Sequence, residues 1–206
     1  MKLERVEQIP NSEKCKLHFS DGSSLRIPRV TVGDLGIFPG MEFSEEDLEA
    51  LLSRASYDST RLRAVRILGA SASSEKDLRR KLRQKGESAE NTEKAISWLN
   101  DLNLINDEET AERLLERALA KGYGKARVRQ ILFEKGISRE IQDRVLEDFP
   151  DQSDAISDYI RKHLSGSDPD PAEKKKLTAA LLRRGHSWEE IRRAFSQLQM
   201  VSEEEF

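Results

Sequence analysis

The chain has 206 residues, of which 36% are hydrophobic and 35% are charged, and its formal net charge is -3. This near balance excludes a strongly basic nucleic-acid binder on bulk charge, so any contact with nucleic acid must come from local patches. No apolar run approaches the ~20 residues of a membrane-spanning helix, no signal peptide is recognisable, and the single cysteine, Cys15, cannot form an intrachain disulfide. These features predict a cytoplasmic protein without a membrane segment.

The first 43 residues show the alternation of β-strands. Polar and apolar residues alternate over Lys16–Ser20 and over Leu25–Ile27, on either side of Asp21-Gly22, a frequent hairpin turn. We expect a small β-hairpin here, with a third strand over Glu4–Ile9. Because two or three strands are marginally stable alone, this module should pack on the helices that follow.

Helical patterns begin at Ser44, which precedes three acidic residues and therefore suits a helix N-cap. From there to Met200 nearly every segment has apolar residues at helical spacing. The Gly- and Pro-rich stretch Ser165–Ala172 is predicted to be an exposed loop or hinge. The acidic tail, Ser202–Phe206, is predicted to be frayed.

An internal repeat organises the helical region. Three segments, Leu78–Ser88, Val128–Ser138 and Leu177–Ser187, each place two apolar residues four positions apart, then a basic residue, a glycine and a serine at fixed offsets. The apolar pair marks the buried face of a helix. The glycine ends that helix in the left-handed conformation, and the serine caps the next helix. A further helical stretch precedes each pair, so each unit contains three helices.

The expected fold is therefore mainly α, with tandem three-helix repeats forming an elongated, curved body and a small β-hairpin-containing N-terminal module. The expected divisions are residues 1–55 for the N-terminal module with a linking helix, 56–105 for repeat 1, 106–151 for repeat 2, and 152–206 for repeat 3 and the tail.

The sequence contains no recognisable phosphate-binding, nucleophile or metal-ligand motif, so we expect no catalytic residue, no metal and no cofactor. His18, His163 and His186 have no Cys or His at metal-ligand spacing and are expected at the surface or its boundary. The acidic run Asp107–Glu109 could hold Mg²⁺ for nuclease chemistry. At a predicted helix N-terminus, however, it is better explained as a cap and a complement to the helix dipole.

Some residues have two interpretations. Gly122 and Gly124 could approach a phosphate, but a loop between helices explains them better. Phe133 is expected in the core, with an exposed anchor as the alternative. Trp98 and Trp188 are expected to fill gaps in the core.

Basic residues group on the helix predicted over Ser74–Lys85. At 100° per residue, four cations lie opposite its buried leucines, with Asp77 at one flank. A solvated face usually mixes charge signs, so this stripe favours an anionic partner, either DNA phosphate or an acidic protein surface. In the second repeat the basic residues are divided around the flanks of the helix, with Gln130 and Phe133 outermost, and in the third repeat they form clusters. The candidate partner- or DNA-binding residues are Lys76, Arg79, Arg80, Arg83, Lys125, Arg127, Arg129, Arg183, Arg184, Arg192 and Arg193.

Over about Tyr57 to Leu198 the repeats resemble the RecX family of recombination regulators, in four motifs: Leu104–Glu108, Gly124–Val128, Leu132–Ile137 and Leu182–Ser187. The resemblance implies a non-enzymatic protein of tandem three-helix units that binds the filament of a RecA-type recombinase on single-stranded DNA, in its groove. It implies inhibition of ATP hydrolysis, strand exchange and coprotease activity, by blocking extension or promoting disassembly, in DNA repair and the SOS response. Two departures are His186, where family members commonly carry Phe, and the N-terminal β module, found in only some members.

We expect a monomer that touches single-stranded DNA weakly or through the filament. Three alternatives remain open from the residues themselves. A general DNA-binding helical protein, without recombinase regulation, would bind bare DNA with a steep salt dependence. A protein-only adaptor would bind no DNA. A metal-dependent nuclease would use Asp107–Glu109.

Overall fold

The computed structural model describes residues 1–164 and 170–204, with side chains described as far as Leu198. The loop predicted over Ser165–Ala172 falls largely on residues outside this part of the chain, and so do the side chains of the predicted tail. The described elements are β1 (Leu3–Gln8), β2 (Lys14–Phe19), β3 (Ser24–Pro28), α1 (Arg29–Asp34), α2 (Glu45–Ala70), α3 (Glu75–Gln84), α4 (Ala89–Asp101), α5 (Asp107–Leu119), α6 (Lys125–Glu134), α7 (Arg139–Val145), α8 (Ser153–His163), α9 (Pro171–Arg183) and α10 (Trp188–Glu204).

The N-terminal module is an antiparallel sheet of three strands in the order β1-β2-β3. Its hairpin turns where predicted, since Gly22 has a φ of 83° and the Asp21 carboxylate accepts from the Ser23 backbone N–H at 3.0 Å. In the central strand Leu17 pairs with Val6 on one side and Leu25 on the other. The predicted third strand is confirmed.

The sheet is stabilised by packing on α2. Its buried residues, Leu17 and Ile27 among them, share one apolar cluster with Leu51 and Ala55 of that helix. Helix α2 begins at a capping box, in which the Ser44 hydroxyl accepts from the Asp47 backbone N–H while the Asp47 carboxylate accepts from the Ser44 backbone N–H. The helix then runs for 26 residues. It crosses the proposed boundary between residues 55 and 56 without a break, and its second half packs with α3 and α4.

A buried carboxylate ties α1 to α2. The Asp58 side chain is 0% exposed. It accepts hydrogen bonds from the Thr31 hydroxyl at 2.8 Å, from Arg54 Nε at 2.9 Å and from Arg61 Nη1 at 3.3 Å. Because a buried carboxylate is costly unless it is paired and hydrogen-bonded, these three donors fix its position and hold the module on the helix.

The repeat signals operate as predicted. Gly86, Gly136 and Gly185 end their helices with φ values of 84°, 77° and 89°. Each following serine accepts from a backbone N–H three residues on: from Asn91 at 3.1 Å, from Ile141 at 3.3 Å and from Glu190 at 3.2 Å. The apolar pair of each repeat is buried in a cluster of its own, and the three pairs are Leu78 with Leu82, Val128 with Leu132, and Leu177 with Leu181.

Contacts divide the chain into two compact units. The first comprises residues 1–71 and 77–105, and therefore the N-terminal module with the first repeat. The second comprises residues 72–76 and 106–206, and therefore the second and third repeats with the start of α3. The domain boundaries expected from the sequence stay a prediction. Among the helices that the structure describes, none is long and apolar enough to cross a membrane.

Candidate partner-binding surface

The basic face of α3 lies where the helical wheel predicts it. Leu78 and Leu82 are fully buried, and the cations occupy the other side. Lys76, Arg80 and Arg83 are exposed, while Arg79 is half-buried. No ion pair is recorded within the described residues for Lys76 or Arg83.

Two of the four cations are engaged within the first unit. Arg79 donates from two nitrogens to the Glu93 carboxylate of α4, at 2.8 and 2.9 Å, and this hydrogen bonding lowers the pKa of Glu93. Arg80 pairs with Asp77. The Asp77 carboxylate, expected at the flank, is instead buried, and Lys81 lies 2.9 Å from it. The stripe is therefore less positive than the sequence suggests.

The candidates in the second repeat differ in their surroundings. Lys125 is exposed at the start of α6. Arg127 is half-buried and donates to Gln130 at 3.0 Å. Arg129 pairs with Asp143 of α7 at 2.7 Å.

Arg184, in the third repeat, makes internal contacts. Its guanidinium donates to the Lys121 carbonyl at 2.6 Å and lies over the rings of Tyr123 and Tyr159, at 5.4 and 4.8 Å from their centroids. Its contribution is therefore to packing in the second unit. The other candidates of this repeat are exposed: Arg183, Arg192 and Arg193.

Three burial expectations are wrong. Phe133 is 73% exposed, because Val128 and Leu132 already form the buried face of α6, and Trp188 is 59% exposed at the start of α10. His186 is buried rather than at the surface. Trp98 does pack against a core cluster, with the Arg61 guanidinium 3.9 Å from its ring centroid.

Equivalent positions in the three repeats carry different chemistry. Counting from the glycine that ends the middle helix, the residue three before it is Arg83, Phe133 or Leu182, and the residue three after it is Ala89, Arg139 or Trp188. The residue seven before it is Arg79, Arg129 or Thr178. These three positions thus hold two arginines and an alanine in the first repeat, two arginines and a phenylalanine in the second, and a threonine with two large apolar residues in the third.

The three carboxylates at the start of α5, Asp107, Glu108 and Glu109, each have a different partner and do not form a common metal site. The Asp107 carboxylate accepts from the Glu75 backbone N–H at 2.9 Å, and burial raises its pKa. Glu108 pairs with Arg144 and Glu109 with Arg113. Within the described part of the chain, no group of three or more Asp, Glu, His or Cys side chains is arranged to hold a metal ion.

Gly122 and Gly124 lie where the second repeat packs against the third, which explains these glycines without a phosphate. The Gly124 backbone N–H donates to the Arg184 carbonyl at 2.9 Å, and the Ala126 N–H donates to the Gly185 carbonyl at 3.3 Å. Two carbonyls just after the end of α9 thereby accept from N–H groups at the start of α6, where a helix has no acceptors of its own.

The same joint recurs one repeat earlier, still within the second unit. The Ser74 hydroxyl donates to the Lys135 carbonyl at the end of α6. Ser74 and Gly124 are equivalent positions, as are Lys135 and Arg184. A Cβ atom at Gly136 would lie 2.9 Å from the Lys76 Cβ, so here too the glycine allows a close approach.

His186 lies at the joint formed by Gly124 with Arg184 and Gly185. Its Nε2 lies 3.1 Å from the Gly122 carbonyl, so the neutral ring donates there, and no hydrogen-bond partner is recorded for Nδ1 in the described structure. Burial lowers the pKa of His186; Arg184 acts in the same direction, while the Gly122 hydrogen bond and Glu190 oppose it.

We expect the stability of the second unit to depend on pH through His186. A lowered folded-state pKa means that the unfolded chain binds the proton more readily, so stability is full above the ordinary pKa of about 6.5 and falls as pH drops below it. His186→Phe should flatten this dependence. The measurement is the urea midpoint between pH 5 and 8, with the exposed His163→Phe as control, and an unchanged pH profile in His186→Phe would contradict the assignment.

These features define a helical repeat protein with exposed cationic and aromatic side chains. Models of the first, second and third three-helix domains of RecX match residues 61–99, 106–146 and 151–195. The chain belongs to the RecX family.

Relatives and solved structures agree with this assignment. The chain is 34% identical over 155 residues to the regulatory protein RecX of Salmonella newport (strain SL254), covering 69% of this chain and 93% of that protein. It is 32% identical over 158 residues to the RecX of Shigella dysenteriae serotype 1 (strain Sd197), covering 69% and 93%. The crystal structure of RecX from Lactobacillus salivarius matches with a TM-score of 0.60 at 23% identity, over 70% of this chain and 97% of that one.

A second crystal structure, titled regulatory protein RecX, matches with a TM-score of 0.64 at 18% identity. It covers 95% of this chain and 98% of its own.

Proposed function

We propose that this protein regulates a RecA-type recombinase by binding its filament on single-stranded DNA, in the groove of that filament. It inhibits ATP hydrolysis, strand exchange and coprotease activity by blocking extension or promoting disassembly. The observation that carries the proposal is the match of all three repeats, in order, to the three domains of RecX. The same proposal places the protein in the cytoplasm, in DNA repair and the SOS response.

The exposed cations support this role physically. Arg83 and Lys125 are exposed and form no ion pair among the described residues, so each can pair with a partner. Besides the hydrogen bonds from Arg79, Arg83 is also close enough to Glu93 to lower the pKa of that carboxyl. Several weak contacts on successive repeats act together when a partner presents them at matching intervals. A ligand that prefers one filament geometry shifts the assembly equilibrium towards it. Contact with DNA is weak or occurs through the filament.

The test is the DNA-dependent ATPase rate of the recombinase from the same cell, with this protein added substoichiometrically to preformed filaments. A progressive fall in rate at low ratios is expected. An unchanged rate at every ratio, with a folded protein confirmed by circular dichroism, would contradict the proposal. Equal affinity for bare single-stranded DNA and for filament, falling steeply with salt, would favour a general DNA-binding protein instead.

Reversing the charge at Arg83 should weaken inhibition about tenfold, measured as the concentration that halves the ATPase rate. Arg83 is preferable to Arg79 and Arg80, because those two residues hold internal carboxylates and their reversal would also disturb the fold. Arg117→Glu on α5 is the matched control, since Arg117 is likewise exposed and the change in net charge is identical. Equal inhibition by the two variants would show that the α3 stripe is only solvated surface.

A further inference from the structure

A cleft opens in the second unit between α6, α7 and the start of α3. Its volume is about 850 Å³. Ala126, Gly136 and Ile137 line it, and the buried Gln142 side chain holds its wall by donating to the Ile137 carbonyl at 2.9 Å. Phe133 also lines the cleft, with most of its ring accessible to solvent.

Exposure of Phe133 is not required by the fold. Helix α6 already buries its apolar pair, so a polar side chain in place of Phe133 would cost the core nothing. Phe133 shares a concave surface with the apolar side chains of Ala126 and Ile137, and binding sites are typically concave and mostly apolar. Aromatic residues and arginine are enriched among the residues that dominate binding energy. Phe133 therefore has the properties of an anchor point for a partner.

The lining of the cleft is cationic as well. Lys76, Arg129 and Arg139 all line it, and the Arg139 side chain is 89% exposed. None of the described residues that line the cleft is acidic. Asp143, outside the lining, lies 2.7 Å from Arg129 and 3.8 Å from Arg139. The lining therefore carries an excess of positive charge, which complements an anionic partner.

A protein segment fits this cleft better than single-stranded DNA. Asp143, between the two arginines, would repel a phosphate backbone that follows them, whereas separate carboxylate side chains can pair with one cation at a time. Base-stacking surfaces need successive aromatic rings, but the residue equivalent to Phe133 in the third repeat is the aliphatic Leu182. The net charge of -3 also disfavours general attraction of DNA.

We propose that the cleft receives an exposed segment of the recombinase subunit in which a large apolar side chain is flanked by aspartate or glutamate. The apolar side chain packs on Phe133, and the carboxylates pair with Lys76 and Arg139. This inference rests on the proposed function, because it names the chemistry by which the same partner is recognised.

A photo-crosslinker at the anchor point tests the contact directly. The Phe133 side chain is replaced by p-benzoylphenylalanine, and the variant is irradiated with recombinase filaments on single-stranded DNA. We expect a crosslinked recombinase peptide that contains acidic residues beside an aromatic or large aliphatic one. Crosslinks to DNA, or no crosslink from a variant that still inhibits, would overturn the assignment.

Potency provides the second measurement. Phe133→Ala and Arg139→Glu should each raise the concentration needed for half-inhibition of the ATPase by at least about tenfold, and both should fold normally because both side chains are exposed. The controls are Leu52→Ala, which removes an exposed apolar side chain from α2, and Arg117→Glu. Wild-type protein that leaves the ATPase unchanged contradicts the proposed function and this inference together. If the wild-type protein inhibits and Phe133→Ala inhibits equally well, only this inference is contradicted.

Discussion

Gly185→Ala is expected to destabilise the second unit by about 4 kcal/mol, combining the left-handed backbone cost of a non-glycine residue with overpacking. The added Cβ would lie 2.6 Å from the Arg127 Cβ and 2.9 Å from its Cα. Real Cβ atoms do not approach so closely, and the Arg127 backbone cannot rotate away as the end of a side chain can. The repeats would have to separate, which breaks the hydrogen bonds from Gly124 and Ala126 as well.

Gly86→Ala is the matched control for this prediction. Gly86 is the equivalent position in the first repeat and has nearly the same φ, 84° against 89°, but nothing lies within 4 Å of an added Cβ. Its replacement should therefore cost only the backbone term, about 1–2 kcal/mol. The measurement is the free energy of unfolding by urea, followed by circular dichroism. Equal losses at the two glycines would mean that the joint yields easily to the added methyl group.

Asp58→Ala is expected to lower the free energy of unfolding of the first unit by about 3 kcal/mol. The substitution leaves the buried Thr31 hydroxyl without its acceptor, and it removes the carboxylate that Arg54 and Arg61 share. This loss lies at the lower end of the range for breaking a buried ion pair, because Arg54 and Arg61 remain partly exposed to water. We expect the N-terminal module to become sensitive to limited proteolysis before the repeats do.

The control is Asp34→Ala. Asp34 pairs with the same Arg54 at 2.8 Å, but its side chain is 46% exposed whereas that of Asp58 is fully buried, so the loss should stay below about 1 kcal/mol. Similar losses from the two substitutions would show that the buried cluster is no stronger than a surface ion pair.

Local signals explain what the sequence could predict. The repeat glycines and their serines act within a few residues of themselves, so Gly86 and Ser88 reveal a helix end and a helix start without any knowledge of the fold. The hairpin at Asp21-Gly22 is of the same kind. Helix α1, with six residues, is too short to show a periodic pattern, and the sequence did not predict it.

The features that the sequence missed depend on contacts between distant residues. His186 is buried because it meets Gly122, 64 positions away, and no local pattern encodes that contact. The charge of Arg79 is partly offset by the Glu93 carboxylate on another helix. The helical wheel places Phe133 outermost on α6, but its apolar side chain favoured a place in the core. The packing of α5 and α7 on α6 leaves it exposed.

In the proposed function, the different chemistry at equivalent positions of the three repeats would limit how the protein aligns on a filament. Three identical repeats would bind a periodic partner equally well after a slip of one repeat. Because the equivalent residues here are Arg83, Phe133 and Leu182, such a slip would exchange a cation for an apolar side chain, and one alignment on the filament would be favoured over the others.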